Sequence, residues 1–292
     1  MLHLVLRNLS YYRRANAAVV LGVGVAVAVL AGALLVGESV RASLRGLFLQ
    51  RLGRATHMAT APNFFRERLA EDVRAGGGFG ESGFDAACPL VLAAGVVTHE
   101  PSGRRAVAAQ VYGVDARFWE FHGRKDAAAR APQSDEALLS PSLAAELGAA
   151  AGEAVILRVE QPSDIPVESL HGRKDDVGSS ARLTVRETLP ASELGEFSAR
   201  PSQAGVRAVF VPLASLQRSL DRAGRVNTIL FHARDDGAGA ARAQTEKLNA
   251  LLRGSATLED LGVKLRALDD ARGLVFESES GLISQGPDSA AR

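Results

Sequence analysis

The sequence contains one cysteine, Cys88, one tryptophan and two methionines among 292 residues. A single thiol closes no internal disulfide and supplies no multi-thiolate metal centre. Beside Pro89 in an apolar run, Cys88 reads as a small buried hydrophobe. Charge of either sign is also missing in excess, with 34 Lys and Arg against 33 Asp and Glu. That balance leaves no strongly basic footprint for nucleic acid. No Walker A loop, H-E-x-x-H, G-x-S-x-G or C-x-x-C occurs, so ATP hydrolysis and metal-dependent hydrolysis lack their working parts.

The remaining candidates for chemistry are dispersed. His3, His57, His99, His122, His171 and His232 show no ligand spacing. Asp164, Glu168, Asp175 and Asp176 offer acids, but nothing sets them against a pocket. The charged run "HGRKDD" at 171–176 reads as a solvated loop tip, with partner docking as its alternative. "GFGESG", residues 78–83, fits G-x-G-x-x-G in letters. It follows a helical stretch instead of a strand, so the dinucleotide context is absent. The sequence therefore assigns no enzyme activity, catalytic residue, metal ligand or cofactor.

What is present begins with a run at 17–36, "AAVVLGVGVAVAVLAGALLV", which has no charged side chain and eleven Leu and Val. As a helix it reaches roughly 30 Å, the thickness of a bilayer's hydrocarbon core. Its Leu and Val favour insertion by about 3 to 6 kcal/mol. A cleaved signal could use Ala31-Gly32-Ala33, and a soluble core helix is the third reading. The run continues through Leu34, Leu35 and Val36 without a polar region, which favours a retained anchor. Within it Gly24, Ala28 and Gly32 form a small-xxx-small ladder suited to close helix packing.

Leu2, Val5, Leu6, Leu9 and Tyr12 recur at helical spacing ahead of the anchor, with Arg7, Arg13 and Arg14 elsewhere, as in a helix lying on an anionic membrane surface. Arg41, Arg45, Arg51 and Arg54 follow the anchor, so the count of basic residues does not orient it. Val40, Leu44, Leu47, Phe48 and Leu52 share one face, which predicts that the helix continues as an amphipathic stalk.

Beyond the stalk, "FFRERLAEDVRAGGGFGESGF" predicts a helix and a glycine-rich loop. "PLVLAAGVVTHEPSGRRAVAAQVYGVD" predicts two strands about a turn at 100–103. Ser140 is the expected N-cap of a short helix with Pro141 in its first turn. "GEAVILRVE" and "ARLTVRETL" read as strands. "VRAVFVPLASLQRSL" reads as a strand turning at Pro212 into a helix, and "RVNTILFHA" as another strand. A helix around 241–252 and the pair "GVKLRAL" and "GLVFESE" complete an α+β pattern of two subdomains.

Taken together, "LLVGESVRASL", "YGVDARFWEF", "ALLSPSLAAELGAAAGEAVIL" and "AVFVPLASLQRSLDRAGRVNTIL" resemble MacB-like, FtsX-type ABC transporter permeases. The resemblance implies a cytoplasmic elbow helix at 1–15, a transmembrane helix at 16–37 and an extracytoplasmic domain at 38–292. That domain would be mixed α/β, with a porter-like part and an inserted subdomain at about 135–205. The implied function is a permease component of an exporter or mechanotransmission complex, coupling a separate ABC ATPase to the external domain across the inner (plasma) membrane. Further permease helices or a second permease copy, and membrane lipid, are the other implied partners. Arg7, Arg13 and Arg14 would face the membrane surface or the ATPase, and Gly24, Ala28 and Gly32 a neighbouring helix. Permeases of this kind carry further membrane helices after the domain, and no second apolar run follows here, so the chain reads as a piece of a longer permease. The alternatives are a stand-alone single-pass binding or scaffold protein and, last, a secreted enzyme. No stretch selects a transported substrate.

Overall fold

A computed structural model describes residues 7, 11–159, 178–200, 204–234, 241–267 and 274–278. Helix α1, Arg13–Arg51, runs 39 residues without a break, about 58 Å at 1.5 Å per residue. It holds an apolar stretch long enough to cross a membrane, none of it buried within the protein. The expected stalk is thus the continuation of the same helix. The elbow expected at 1–15 lies mostly outside the described residues. The chain divides into two compact units, Met1–Gln50 and Arg51–Arg292.

Among the described residues, the second unit is built on ten strands in chain order. They are β1 (His57–Arg66), β2 (Phe84–His99), β3 (Arg105–Val114), β4 (Glu136–Leu139), β5 (Ala154–Val159), β6 (Ser179–Thr188), β7 (Ala208–Pro212), β8 (Arg225–Ala233), β9 (Val263–Ala267) and β10 (Leu274–Ser278). Helices α2 (Leu69–Ala75), α3 (Ala116–Phe121), α4 (Ala127–Arg130), α5 (Pro141–Leu147), α6 (Leu213–Ser219) and α7 (Ala241–Ser255) connect and cover them.

Strand β2 belongs to two sheets. Its first part, from Phe84 to Leu90, pairs antiparallel with β8, which in turn pairs with β1. From Val91 onward it pairs with β3, and from Gly95 also with β5. The order β2-β3-β7-β4-β6-β5 returns to β2, so six strands close into a barrel. Closure leaves these strands no free edge and turns alternate side chains inward. Val91, Val97, Val111, Leu157, Val185 and Val209 fill the interior. Of the barrel strands, β4, β5 and β6 fall inside the 135–205 stretch, and β2, β3 and β7 fall outside it.

Local signals explain most elements. Ser140 Oγ accepts from Leu143 N at 3.3 Å and from Ala208 N at 2.9 Å, and donates to Val206 O at 2.5 Å, so the N-cap of α5 also ties it to β7. The strand-to-helix turn falls at Pro212, and β9 and β10 pair antiparallel as expected. One segment departs from the sequence reading: Phe64 and Phe65, expected to open a helix, end strand β1 instead. Both are buried there, and the helix starts only at Leu69.

A second cluster of rings packs outside the barrel. Tyr112 of β3 stacks on Phe210 of β7 with ring centroids 5.3 Å apart, while Phe118 and Phe197 meet at 5.1 Å. Helix α3 is fixed over these rings by its cap, Asp115, which accepts from Arg117 N at 2.9 Å. Trp119 and Phe118 on α3 are fully buried. Burying rings of this size dominates local packing energy.

Candidate functional site at the domain entrance

The chain enters its domain through residues 51–56, and the side chains of Arg51, Arg54 and Thr56 are all held there. Arg51, the last residue of α1, is buried and pairs with Glu196 at 3.4 Å, and its carbonyl accepts from Ser198 N. Leu52 is buried. Arg54 donates its backbone N–H to His122 Nδ1 at 3.2 Å and its guanidinium to Phe121 O at 3.1 Å. Thr56 bonds Phe231 and Ala233 of β8. The entrance is therefore clasped to α3, to the 196–198 segment and to β8, three elements far apart in sequence.

His122 is the least ordinary member. It is 7% exposed and ringed by Phe118, Phe121 and Phe197 at centroid distances of 4.7, 5.0 and 5.4 Å. Because Nδ1 accepts from a backbone N–H, the proton of the neutral ring lies on Nε2. Nε2 is buried with no hydrogen-bond partner among the described residues. Burial, then the charges of Arg124 and Arg54 and the nearby His232, pull its pKa down to about 3. The ring is neutral at physiological pH, the state the clasp requires.

Gly53 makes this contact possible. Its φ of +60° suits glycine, and a Cβ built there would lie 2.7 Å from His122 Nδ1. Gly53→Ala is expected to destabilise the domain by about 2 kcal/mol or more, through left-handed strain and displacement of the ring. A urea melt of the variant against the parent checks this, and a shift under about 0.5 kcal/mol, the range of a neutral surface change, would count against the clasp.

Two other polar clusters were not legible in the sequence. Half-buried Arg117 bonds Asp115 and Glu67, and Gln217 Nε2 donates to Glu67 at 2.7 Å. Burial works against the Arg117 charge, but the bonds to Asp115 and Glu67 outweigh it and push the pKa up. This network joins the β1–α2 turn to α3 and α6. In the second, Ser102 Oγ lies 2.8 Å from His99 Nδ1 and His99 Nε2 lies 3.1 Å from Glu153. The chain of groups resembles a nucleophile relay, yet two of the turn's donors are bonded within it. Gly103 N bonds His99 O, and Arg104 N points at Ser102 Oγ itself. The cluster staples the β2–β3 turn to β5.

Arg13, Arg14, Gly24, Ala28 and Gly32 are exposed on α1, and Arg7 is exposed ahead of it. A Cβ at Gly24 or Gly32 meets nothing within 4 Å. Cys88 is buried, and burial raises its thiol pKa well above the usual range. His3, His171, Asp164, Glu168, Asp175 and Asp176 lie outside the described residues. Among the described residues no group of three or more His, Cys, Asp or Glu is placed to hold a metal.

An apolar helix of membrane-crossing length that continues into a clasped, sheet-rich α+β domain defines a class of helix-anchored domain. Within that class the family described as MacB-like periplasmic core domain matches residues 17–248, and the chain belongs to it. The family is one of ABC-type transporter permease components, membrane-anchored and working with an ABC ATPase. The match starts at the first residue of the apolar run, so the run is part of the family pattern.

Several solved structures are similar, among them the following two. The periplasmic region of MacB from Actinobacillus actinomycetemcomitans shares 13% identity over 65% of this chain and 75% of its own, with a TM-score of 0.37. The extracellular domain of YknZ, a noncanonic ABC-type transporter from Gram-positive bacteria, shares 10% identity over 68% of this chain and 91% of its own, with a TM-score of 0.39. No curated protein sequence matches the chain.

Proposed function

We propose that the chain couples a cytoplasmic ATPase to an extracytoplasmic domain, as the permease component of an exporter or mechanotransmission complex in the plasma membrane, and catalyses no reaction itself. The observation that carries this reading is the continuity of α1 from its apolar stretch to Arg51, whose side chain and carbonyl are held by Glu196 and Ser198. An unbroken helix with a clasped end delivers a displacement made in the membrane to the domain with little slack. In this reading residues 1–15 are the cytoplasmic elbow, 16–37 the spanning helix and 38–292 the external part, with the inserted subdomain at about 135–205. Arg7, Arg13 and Arg14 meet anionic lipid or the ATPase. Gly24, Ala28 and Gly32 receive another permease helix or a second copy.

Membrane sidedness tests the core of the proposal. Because Cys88 is buried, an engineered exposed thiol is read without background. Ser102→Cys in intact cells is expected to react with a membrane-impermeant maleimide, and Arg7→Cys only after permeabilisation. The reverse pattern would overturn the assignment of sides. Co-purification of the ABC ATPase with the full chain is expected to fall about tenfold when Arg7, Arg13 and Arg14 are changed to Glu. A stand-alone scaffold predicts no ATPase in the parent preparation.

Ala28→Leu separates a packing face from a lipid face. Added bulk on the ladder is expected to cut disulfide crosslinking through Gly24→Cys about fivefold or more, as van der Waals contact between backbones is lost. Unchanged crosslinking would show that the ladder faces lipid.

A further inference from the structure

We propose that the outer face of the barrel, where β3, β2 and β5 lie side by side, is a binding site for a small apolar anion: a carboxylate or phosphate carried on a hydrocarbon body. The face is shaped by a bulge. Between the pairs Gly95↔Ala109 and Val97↔Ala106, strand β3 carries two residues, Val107 and Ala108, where β2 carries only Val96. Ala108 has a φ of 55°, a conformation that any residue with a Cβ disfavours. Strain of this kind is kept where surrounding structure imposes it and points to a use.

The bulge turns Val107 outward to 59% exposure. Beyond α1, Met58 and Leu261 are the other exposed large apolar side chains among the described residues, at 38% and 43%. Val107 therefore stands out in a hollow of about 490 Å³ whose floor includes Ala94, Val96 and Ala108. That volume lies within the roughly 300 to 1,000 Å³ of small-ligand sites.

Arg105 and Arg158 also line the hollow. Strand register sets Arg158 opposite Val96 and Arg105 opposite Thr98. Among the described residues neither guanidinium has a carboxylate partner. The neighbouring barrel arginines do: Arg182 pairs with Glu100, Arg186 with Glu136 and Arg207 with Glu146. Two guanidinium forks with no carboxylate partner among the described residues, beside an exposed apolar floor, repel cations and give a neutral ligand no use for the charge. They match a planar carboxylate or a phosphate whose body lies on Val96 and Val107.

The test uses the full chain in zwitterionic lipid nanodiscs, with a diazirine-bearing decanoic acid below its micelle concentration as photoprobe and peptide mapping as readout. Labelling is expected on the peptides that carry Val96 and Val107. Excess decanoate or decyl phosphate is expected to compete, and decyltrimethylammonium is not. The Arg105→Gln/Arg158→Gln variant is expected to lose label about tenfold, and high salt to weaken it. Val107→Ser, an exposed change that spares the fold, is expected to lose label with an unaltered melt. Label confined to α1, equal label on β2 and β3 in these variants, or equal competition by the cation would each overturn the site.

Discussion

Lowering the pH from 7 to 5 is expected to weaken this domain by about 2 kcal/mol through His122 alone. The ring titrates near 6.5 in an unfolded chain and at about 3 in the fold. The unfolded state therefore binds more protons below pH 6.5, and stability falls by about 1.4 kcal/mol for each further unit until the folded pKa is reached. Above 6.5 the contribution is fully present. Protonating Nδ1 would set two donors face to face, the imidazolium and the Arg54 N–H, so the entrance clasp opens when the charge is forced in.

His122→Asn separates this effect from others. An Asn carbonyl can accept from Arg54 N and does not titrate, so the pH 7 to 5 slope should flatten while the smaller side chain costs about 1 to 2 kcal/mol at both pH values. Glu153, Glu193 and Asp260, held below the usual carboxylate range, lose their contributions at lower pH and leave this window clear. Urea melts of full chain and variant at the two pH values measure the slope, and hydrogen exchange at Arg54 reports the clasp. An identical slope in His122→Asn would refute the assignment.

The clasp was beyond sequence reasoning because its members are 68 and 145 residues apart, and no local pattern pairs them. His122 was one of six scattered histidines, and only burial against three rings sets it apart. Local chemistry carried the elements well. The 20-residue apolar run, Ser140 before Pro141, and the alternation of "RVNTILFHA" each specify a helix, a cap or a strand from neighbouring residues. Strand β1, "HMATAPNFFR", gave no such signal. Pro62 interrupts it, Thr60 is its only β-branched residue, and among the described residues it pairs with β8 alone, the edge position where proline is tolerated. Barrel closure was hidden for a different reason. It depends on β2 pairing with β5 as well as β3, and on the parallel pairs β3–β7 and β4–β6, contacts fixed by register across long separations. The family resemblance succeeded because it drew on several of these segments in order.

The end of that unheralded edge strand is tied down by a buried carboxylate, and Asp260→Ala is expected to cost about 3 to 4 kcal/mol, from lost charge-assisted hydrogen bonds and a lost turn cap. Asp260, with its side chain 3% exposed, follows α7 in the 3₁₀ turn Leu258–Leu261. It accepts from Arg66 N, Nε and Nη2 at 3.0, 3.0 and 2.7 Å, and from Thr257 N and Oγ1 at 2.9 and 3.0 Å. Removing it frees the end of β1 and the cap of the turn, and leaves the Arg66 guanidinium with Asp72. Asp260→Asn keeps the shape but loses the charge and should cost less, about 1.5 to 3 kcal/mol. Burial pushes the Asp260 carboxyl up, yet its bonds to Arg66 and Thr257 outweigh this and hold the pKa below the usual value. The contribution is therefore present above about pH 4 and lost as the pH falls through the folded pKa, so parent and Asp260→Asn should converge in acid. Hydrogen exchange should locate the damage, with β1 amides losing protection before those of the closed barrel, whose strands have no edge to fray. Uniform loss across β1 and the barrel would show that Asp260 supports the whole domain instead of its edge.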